Sequence, residues 1–325
     1  MKELLSKKDI QNPTSFEDLG YIYFGPLVFS FFEWLKTEVD GYDLLLFNSR
    51  EGYFLNQIYE IFQKKYKLPK SLYFKTSRKL SAISSFKNEK DIYETFNLHR
   101  YCGTISSLLK DRFGLDYFVE NDELVDTTKK IPDLSLFIPN IIKKSNYVKE
   151  QYGKYIADSI EDSKKIIMVD SGFQATTQYY LQKTFGLNFS GRYITYKGNI
   201  PLENTKGFLD FEKTNFKNNI IFFESVFTDS VGSFVDIKDG NFICEDLDKS
   251  TNFFIEKTKI VSGIKMFIND MQTIEYNCSN SYEFFVDKNF DLMCREGFIK
   301  NETLFDIFFH DNYYTRNISK KIVKK

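Results

Sequence analysis

The chain has 325 residues, 42% apolar and 27% charged, with 35 Phe and 21 Tyr, so it can bury a large core and is not a disordered polypeptide. Lys plus Arg number 44 against 45 Asp plus Glu, which argues against a broad polyanion-binding surface and against nucleic acid as a partner. There are two histidines, and Cys102, Cys244, Cys278 and Cys294 form no CxxC pair; this disfavours a structural zinc site and suits a reducing cytoplasm.

The N-terminus, MKELLSKKDIQNP, is polar and has no apolar core, so no signal peptide is expected. The most apolar stretch, Tyr21 to Leu35, contains Pro26 and Glu33 and is too short to span a bilayer. It predicts a buried first helix after a Gly25-Pro26 start. Leu44 to Phe47 is a continuous apolar run, the pattern of a strand buried on both faces, and it ends in Asn48-Ser49-Arg50-Glu51-Gly52. Phe54, Ile58, Ile61 and Phe62 then recur at helical spacing, and Leu72 to Phe74 reads as the next strand. That is a right-handed βαβ unit with parallel strands. A second unit starts with a strand at Ile166 to Val169, passes Asp170-Ser171-Gly172, and continues with a helix over Thr176 to Phe185 stopped by Gly186. Tyr193 to Tyr196 is the strand after it. Later, Asp239-Gly240 between Phe234–Ile237 and Phe242–Cys244 predicts a hairpin. Apolar residues at 260, 261, 264, 267, 268 and 271 predict an amphipathic helix within Phe253 to Ile274. The expected fold is α/β, with a parallel, Rossmann-like sheet. It is read as one elaborated domain, with a core over about 20–80 and 160–235, a mostly helical insertion over about 80–160 and a C-terminal hairpin-plus-helix extension over about 236–325.

In parallel sheets ligands bind beyond the carboxyl ends of the strands. Three loops are expected there. Asp170 to Thr177 is a small, hydroxyl-rich turn feeding a helix N-terminus, a natural anion site from Ser171, Gly172, Gln174, Ala175, Thr176 and Thr177. Capping by Thr176 alone is the simpler alternative. In the Ser49–Gly52 loop, Ser49 and Arg50 can bind phosphate and Gly52 permits a positive φ and close backbone approach. Ser77, Arg78 and Lys79 add two cations to the same edge. Together these loops suit a ligand with two phosphate groups and a sugar between them, with Asp170 on the sugar.

The stretches KKIIMVDSGFQATTQ and DLLLFNSREGYFL resemble the 5-phosphate loop and the pyrophosphate loop of type I phosphoribosyltransferases. Where that family carries a second adjacent acid, this chain has Ser171. The order GPLV, SREGYFL, SRKLS, VDSGFQATTQ and FFESVFTDSVGS is also similar to a narrower group from bacterial surface-polysaccharide clusters. Longer members of that group carry a phosphatase segment of the haloacid dehalogenase type, whose FDIFDTL-like and SDMY-like motifs are not found here. The resemblance implies transfer of ribose 5-phosphate from phosphoribosyl pyrophosphate to a glycan hydroxyl, giving a β-linked ribofuranoside of an O-antigen or capsule. It implies Mg²⁺ held mainly through the pyrophosphate, a lipid-linked glycan acceptor and a separate phosphatase as partners, and a cytoplasmic location or one peripheral to the inner membrane.

Candidates for the base are Glu51, Asp170 and Glu224, the last after the apolar Ile221-Phe222-Phe223. His99, in a polar run, reads as a surface or packing residue. Tyr53 reads as a sugar-stacking residue and Phe54 as core. Two look-alikes of phosphatase motifs, Asp246 to Ser250 and FDIFFHD from Phe305, read as a polar hairpin end and a helical segment. A phosphate-ester hydrolase and a non-catalytic binding module are the alternative functions.

Overall fold

A computed structural model of the chain describes residues 12–245, 253–273 and 282–295, with the shorter pieces 1, 5–6, 8, 304, 308–312 and 317–321. Helix α1 (Phe16–Leu19), a π-helical turn (Gly20–Phe24) and α2 (Gly25–Glu38) form one continuous helical run. The first helix therefore starts at Phe16, ahead of the expected Gly25-Pro26. Proline has no N–H to offer the carbonyl four residues back, here that of Ile22. The buried Asn289 side chain donates to that carbonyl at 2.8 Å, which lets the run continue through Pro26.

Strand β1 (Leu44–Asn48), α3 (Gly52–Tyr66) and β2 (Lys70–Phe74) follow, and β1 and β2 pair in parallel. Next come α4 (Arg78–Ile83), α5 (Glu89–Leu98), β3 (Cys102–Thr104), α6 (Ile105–Phe113), β4 (Leu124–Asp126) and the long α7 (Ile138–Ile160). This insertion is mostly helical, with β3 and β4 adding a small antiparallel pair that the sequence reading lacks. The second unit is β5 (Ile166–Asp170), α8 (Thr176–Phe185) and β6 (Phe189–Tyr196), followed by β7 (Thr205–Asp210) and α9 (Phe216–Phe227). The hairpin β8 (Phe234–Lys238) and β9 (Asn241–Cys244) turns on Asp239 and Gly240, both at positive φ, as an Asp-Gly turn requires. Helices α10 (Phe254–Thr273) and α11 (Tyr282–Met293) and the pair β10 (Phe309–Asn312) and β11 (Asn317–Lys321) complete the described residues. The end of FDIFFHD is thus extended rather than helical, because it pairs with β11; Phe305 to Ile307 lie outside the described residues, as do Asp246 to Ser250 and Cys278.

The central sheet has five strands, all parallel, in the order β2-β1-β5-β6-β7. Side chains alternate between its faces. Leu45, Phe47, Ile167 and Val169 pack with α2, α3, α9, α10 and α11. Leu44, Leu46, Ile166 and Met168 pack with the helical insertion and α8. Helices on both faces explain why β1 and β5 read as unbroken apolar runs. Among the described residues no helix is long and apolar enough to cross a membrane.

Candidate functional site

The chain leaves β1 toward β2 on one side of the sheet and β5 toward β6 on the other, so the winding reverses between β1 and β5. At such a reversal the loops diverge and leave a crevice outside the carboxyl ends. The two strands end in Asn48 and Asp170. Asn48 Nδ2 donates to Asp170 Oδ2 at 3.1 Å, and the Ser171 N–H donates to Oδ1 at 2.7 Å. Over this point lies a cavity of about 470 Å³, an ordinary size for a small-ligand site.

One wall is the loop Gly172 to Thr177, every residue of which lines the cavity. Ala175 occupies the cap position of α8 in the left-handed region, φ 54°, and has no side-chain acceptor to give the first N–H groups of the helix. Thr176 is inside the helix, so it is not the cap. The start of α8 thus presents backbone donors, the helix dipole and two threonines to the cavity.

Asp170, Arg78 and Glu224 are also in the lining. Glu224 comes from α9, and Ser171 Oγ donates to its Oε1 at 3.4 Å. Both carboxyls are raised toward neutrality, first by burial and then by the neighbouring charge of Glu51; each also lies under the opposing influence of Arg78. Glu224 is further raised by Asp170 and held back by Arg50. The three acids picked out from sequence therefore act on one another electrostatically. A second buried carboxyl, that of Glu224, thus stands beside Ser171.

Ser49 bonds the Thr76 carbonyl through its hydroxyl and accepts the Thr76 N–H at 3.1 Å, tying together the loops after β1 and β2. Arg50 donates to Ser233 Oγ at 3.1 Å. Ser49, Arg50, Glu51 and Gly52 stand beside the cavity rather than in its lining. Gly52 has an ordinary helical φ, not a positive one. What it needs is room, since a Cβ there would lie 2.6 Å from the Phe47 carbonyl carbon. Ser77 caps α4, accepting the Leu80 N–H at 2.9 Å, and its hydroxyl bonds the Phe234 carbonyl. Lys79 follows Arg78 on α4, so its side chain points roughly 100° away around the helix. It lies near Glu245, Asp111 and Asp236 instead of the cavity. Ser171 is buried beneath the loop. Tyr53 packs edge-on against Phe54 and Tyr73 and is outside the cavity lining.

His99 was read as a surface or packing residue and is in the cavity lining. It is buried, and burial followed by the charges of Arg78 and Arg112 pushes its pKa far down, so the ring is neutral. Tyr193, Lys217, Ile220, Ile221 and Phe173 also line the cavity and were not singled out. Strand β6, helix α9 and the loop after β5 bring them together only in the tertiary structure. Among the described residues no three His, Cys, Asp or Glu side chains are grouped so as to hold a metal ion directly. Comparison with protein-family models and with curated proteins finds no match.

Proposed function

We propose that the cavity binds phosphoribosyl pyrophosphate with Mg²⁺, and that the protein transfers ribose 5-phosphate to a hydroxyl of a bacterial surface glycan with a phosphoribosyltransferase-like core. The observation that carries this reading is the start of α8. It lacks a side-chain cap and opens beside Asp170 and Arg78 at the reversal of the sheet. In this reading the 5-phosphate sits on Gly172 to Thr177, so binding energy remote from the reacting carbon fixes its geometry. Asp170 faces the ribose and its developing positive charge. Arg78, with Arg50 behind it, steadies the leaving pyrophosphate. Mg²⁺ would be held mainly by the diphosphate and would offset its charge; the excess of acid at Glu51, Asp170 and Glu224 suits a ligand that brings a cation with it.

The acceptor oxygen forms its bond to the anomeric carbon as the bond to pyrophosphate breaks, and the electron pair leaves with pyrophosphate. The hydroxyl proton goes to Glu224, whose raised pKa makes it a better base near neutrality than an ordinary carboxylate. Attack from the face opposite the leaving group gives the β-ribofuranoside, whose phosphate a separate phosphatase removes.

Titration calorimetry with phosphoribosyl pyrophosphate and Mg²⁺ tests the reading. Heat of binding is expected, and Asp170→Asn and Arg78→Ala should each weaken binding or stop pyrophosphate release. No binding at millimolar ligand overturns it. The neutral-leaning Asp170–Glu224 pair also suits a hydrolase that activates water in place of the glycan. That alternative predicts release of phosphate or pyrophosphate with no acceptor present.

A further inference from the structure

Where the loop after β5 meets the start of α9, the lining changes character. Phe173 and Ile221 form an apolar surface there, with Lys217 beside them. The Phe173 ring packs on Phe211, from the loop after β7, at 5.4 Å between centroids. Lys217 Nζ lies 4.9 Å from the Phe211 centroid and Lys197 Nζ lies 5.6 Å from it. The Lys197 N–H donates to the Phe173 carbonyl at 2.7 Å, so the loops after β5 and β6 are fastened together at this point. Lys217 Nζ donates to the Glu212 carbonyl at 3.0 Å, but among the described residues neither Lys197 nor Lys217 has a carboxylate within ion-pair distance, whereas nearby Lys213 is paired with Asp210 at 2.9 Å. Lys217 is also the second residue of α9, where a cation opposes the helix dipole. Its position is unfavourable for the helix and favourable for an anion at the cavity mouth.

We infer that Phe173, Phe211, Lys197 and Lys217 form an acceptor subsite for a saccharide that carries a phosphate group. The inference rests on the transferase reading for the word acceptor, but the binding site stands without it. The apolar C–H face of a sugar ring covers an aromatic ring well, and a ring held by packing loses little freedom on binding. The two ammonium groups take the phosphate as point charges. A sugar on Phe173 has Glu224 next to it in the same lining, where a hydroxyl proton can be taken.

Titration calorimetry on the full chain, with glucose 1-phosphate, methyl glucoside and inorganic phosphate as probes, tests this. Glucose 1-phosphate should bind about tenfold more tightly than either of the others. Lys197→Gln, at an exposed position, and Lys217→Gln should each weaken it by about threefold to tenfold, with unchanged melting curves. Phe173→Leu should abolish the preference over inorganic phosphate. Phosphoribosyl pyrophosphate binding should be unchanged in Lys197→Gln. Equal binding of all three probes, or unchanged binding in both lysine variants, overturns the subsite. Equal loss of phosphoribosyl pyrophosphate in Lys197→Gln overturns it too, by making this end part of the donor site. If the sugar phosphate binds and phosphoribosyl pyrophosphate does not, the subsite stands and the donor assignment falls.

Discussion

Asp170 and Glu224 are acids held where a charge is costly. Burial and Glu51 raise their pKa values above those of an unfolded chain. Between the ordinary carboxylate value of about 4 and neutrality, the folded chain then holds more protons than the unfolded one. Stability contributed by the protonated form is complete at low pH and is lost as pH rises through the raised values. Asp170→Asn keeps the shape of the protonated acid and removes the loss. Its thermal midpoint should gain on that of the parent chain as pH rises from ~4 to ~8, by on the order of 3 °C. Scanning calorimetry at both pH values checks this, and a gap that does not grow with pH sinks it. Residue identity was legible here, since Asp170 ends an apolar run and Glu224 follows one. The partner of each was not, because Ser171 reaches Glu224 only once α9 lies across the sheet edge.

Among elements, α9 matters most to the site, and its N-terminus is held from a distance. Asp287 on α11 accepts the Asn215 N–H at 2.9 Å and the Phe216 N–H at 2.8 Å, and it also takes the Thr214 hydroxyl. Asn219 Nδ2 donates to Asp291 Oδ1 at 2.8 Å. A borrowed carboxylate therefore does the work of a cap and complements the helix dipole. Asp287→Ala should cost about 2 kcal/mol in urea unfolding, and Asp287→Asn should recover only part of that, because one of the two accepting oxygens becomes a donor. A loss of only a few tenths for the alanine variant would mean that α9 is held by its apolar face alone. The elements missing from the sequence reading share this dependence on distant partners. Strand β7 is a half-exposed edge, so it lacks the unbroken apolar run that marks β1 and β5. The small β3–β4 pair closes across the whole of α6. Arg78 and Lys79 were read as one charged tip, and the start of α4 turns them to different surroundings.

For the molecule as a whole, the first helical run, Phe16–Glu38, packs with α10 and α11 as one body of helices. A Cβ on Gly263 of α10 would lie 2.0 Å from the Glu17 carbonyl oxygen, and one on Gly20 would lie 1.9 Å from the Ile260 carbonyl oxygen. The backbones touch, and no side chain is available to move aside. Gly263→Ala should therefore destabilise by about 3 kcal/mol or more, read as a fall in the urea midpoint. An unchanged midpoint would show that α10 can shift freely on α1. The layered α/β plan was legible from the spacing of the strand runs and the Asp-Gly hairpin. The close crossing of α1 and α10 was not, because a glycine in a helix does not say what backbone lies against it.

The borrowed cap on α9 also sets an order of events during synthesis. Every residue in the cavity lining is translated before Asp287 and Asn289. A nascent chain can close the β1–β5 crevice early, yet the helix that brings Glu224 must wait for residues made later to steady its first turn. The turn that sets Glu224 is thus completed only by residues that follow the whole cavity lining in the chain.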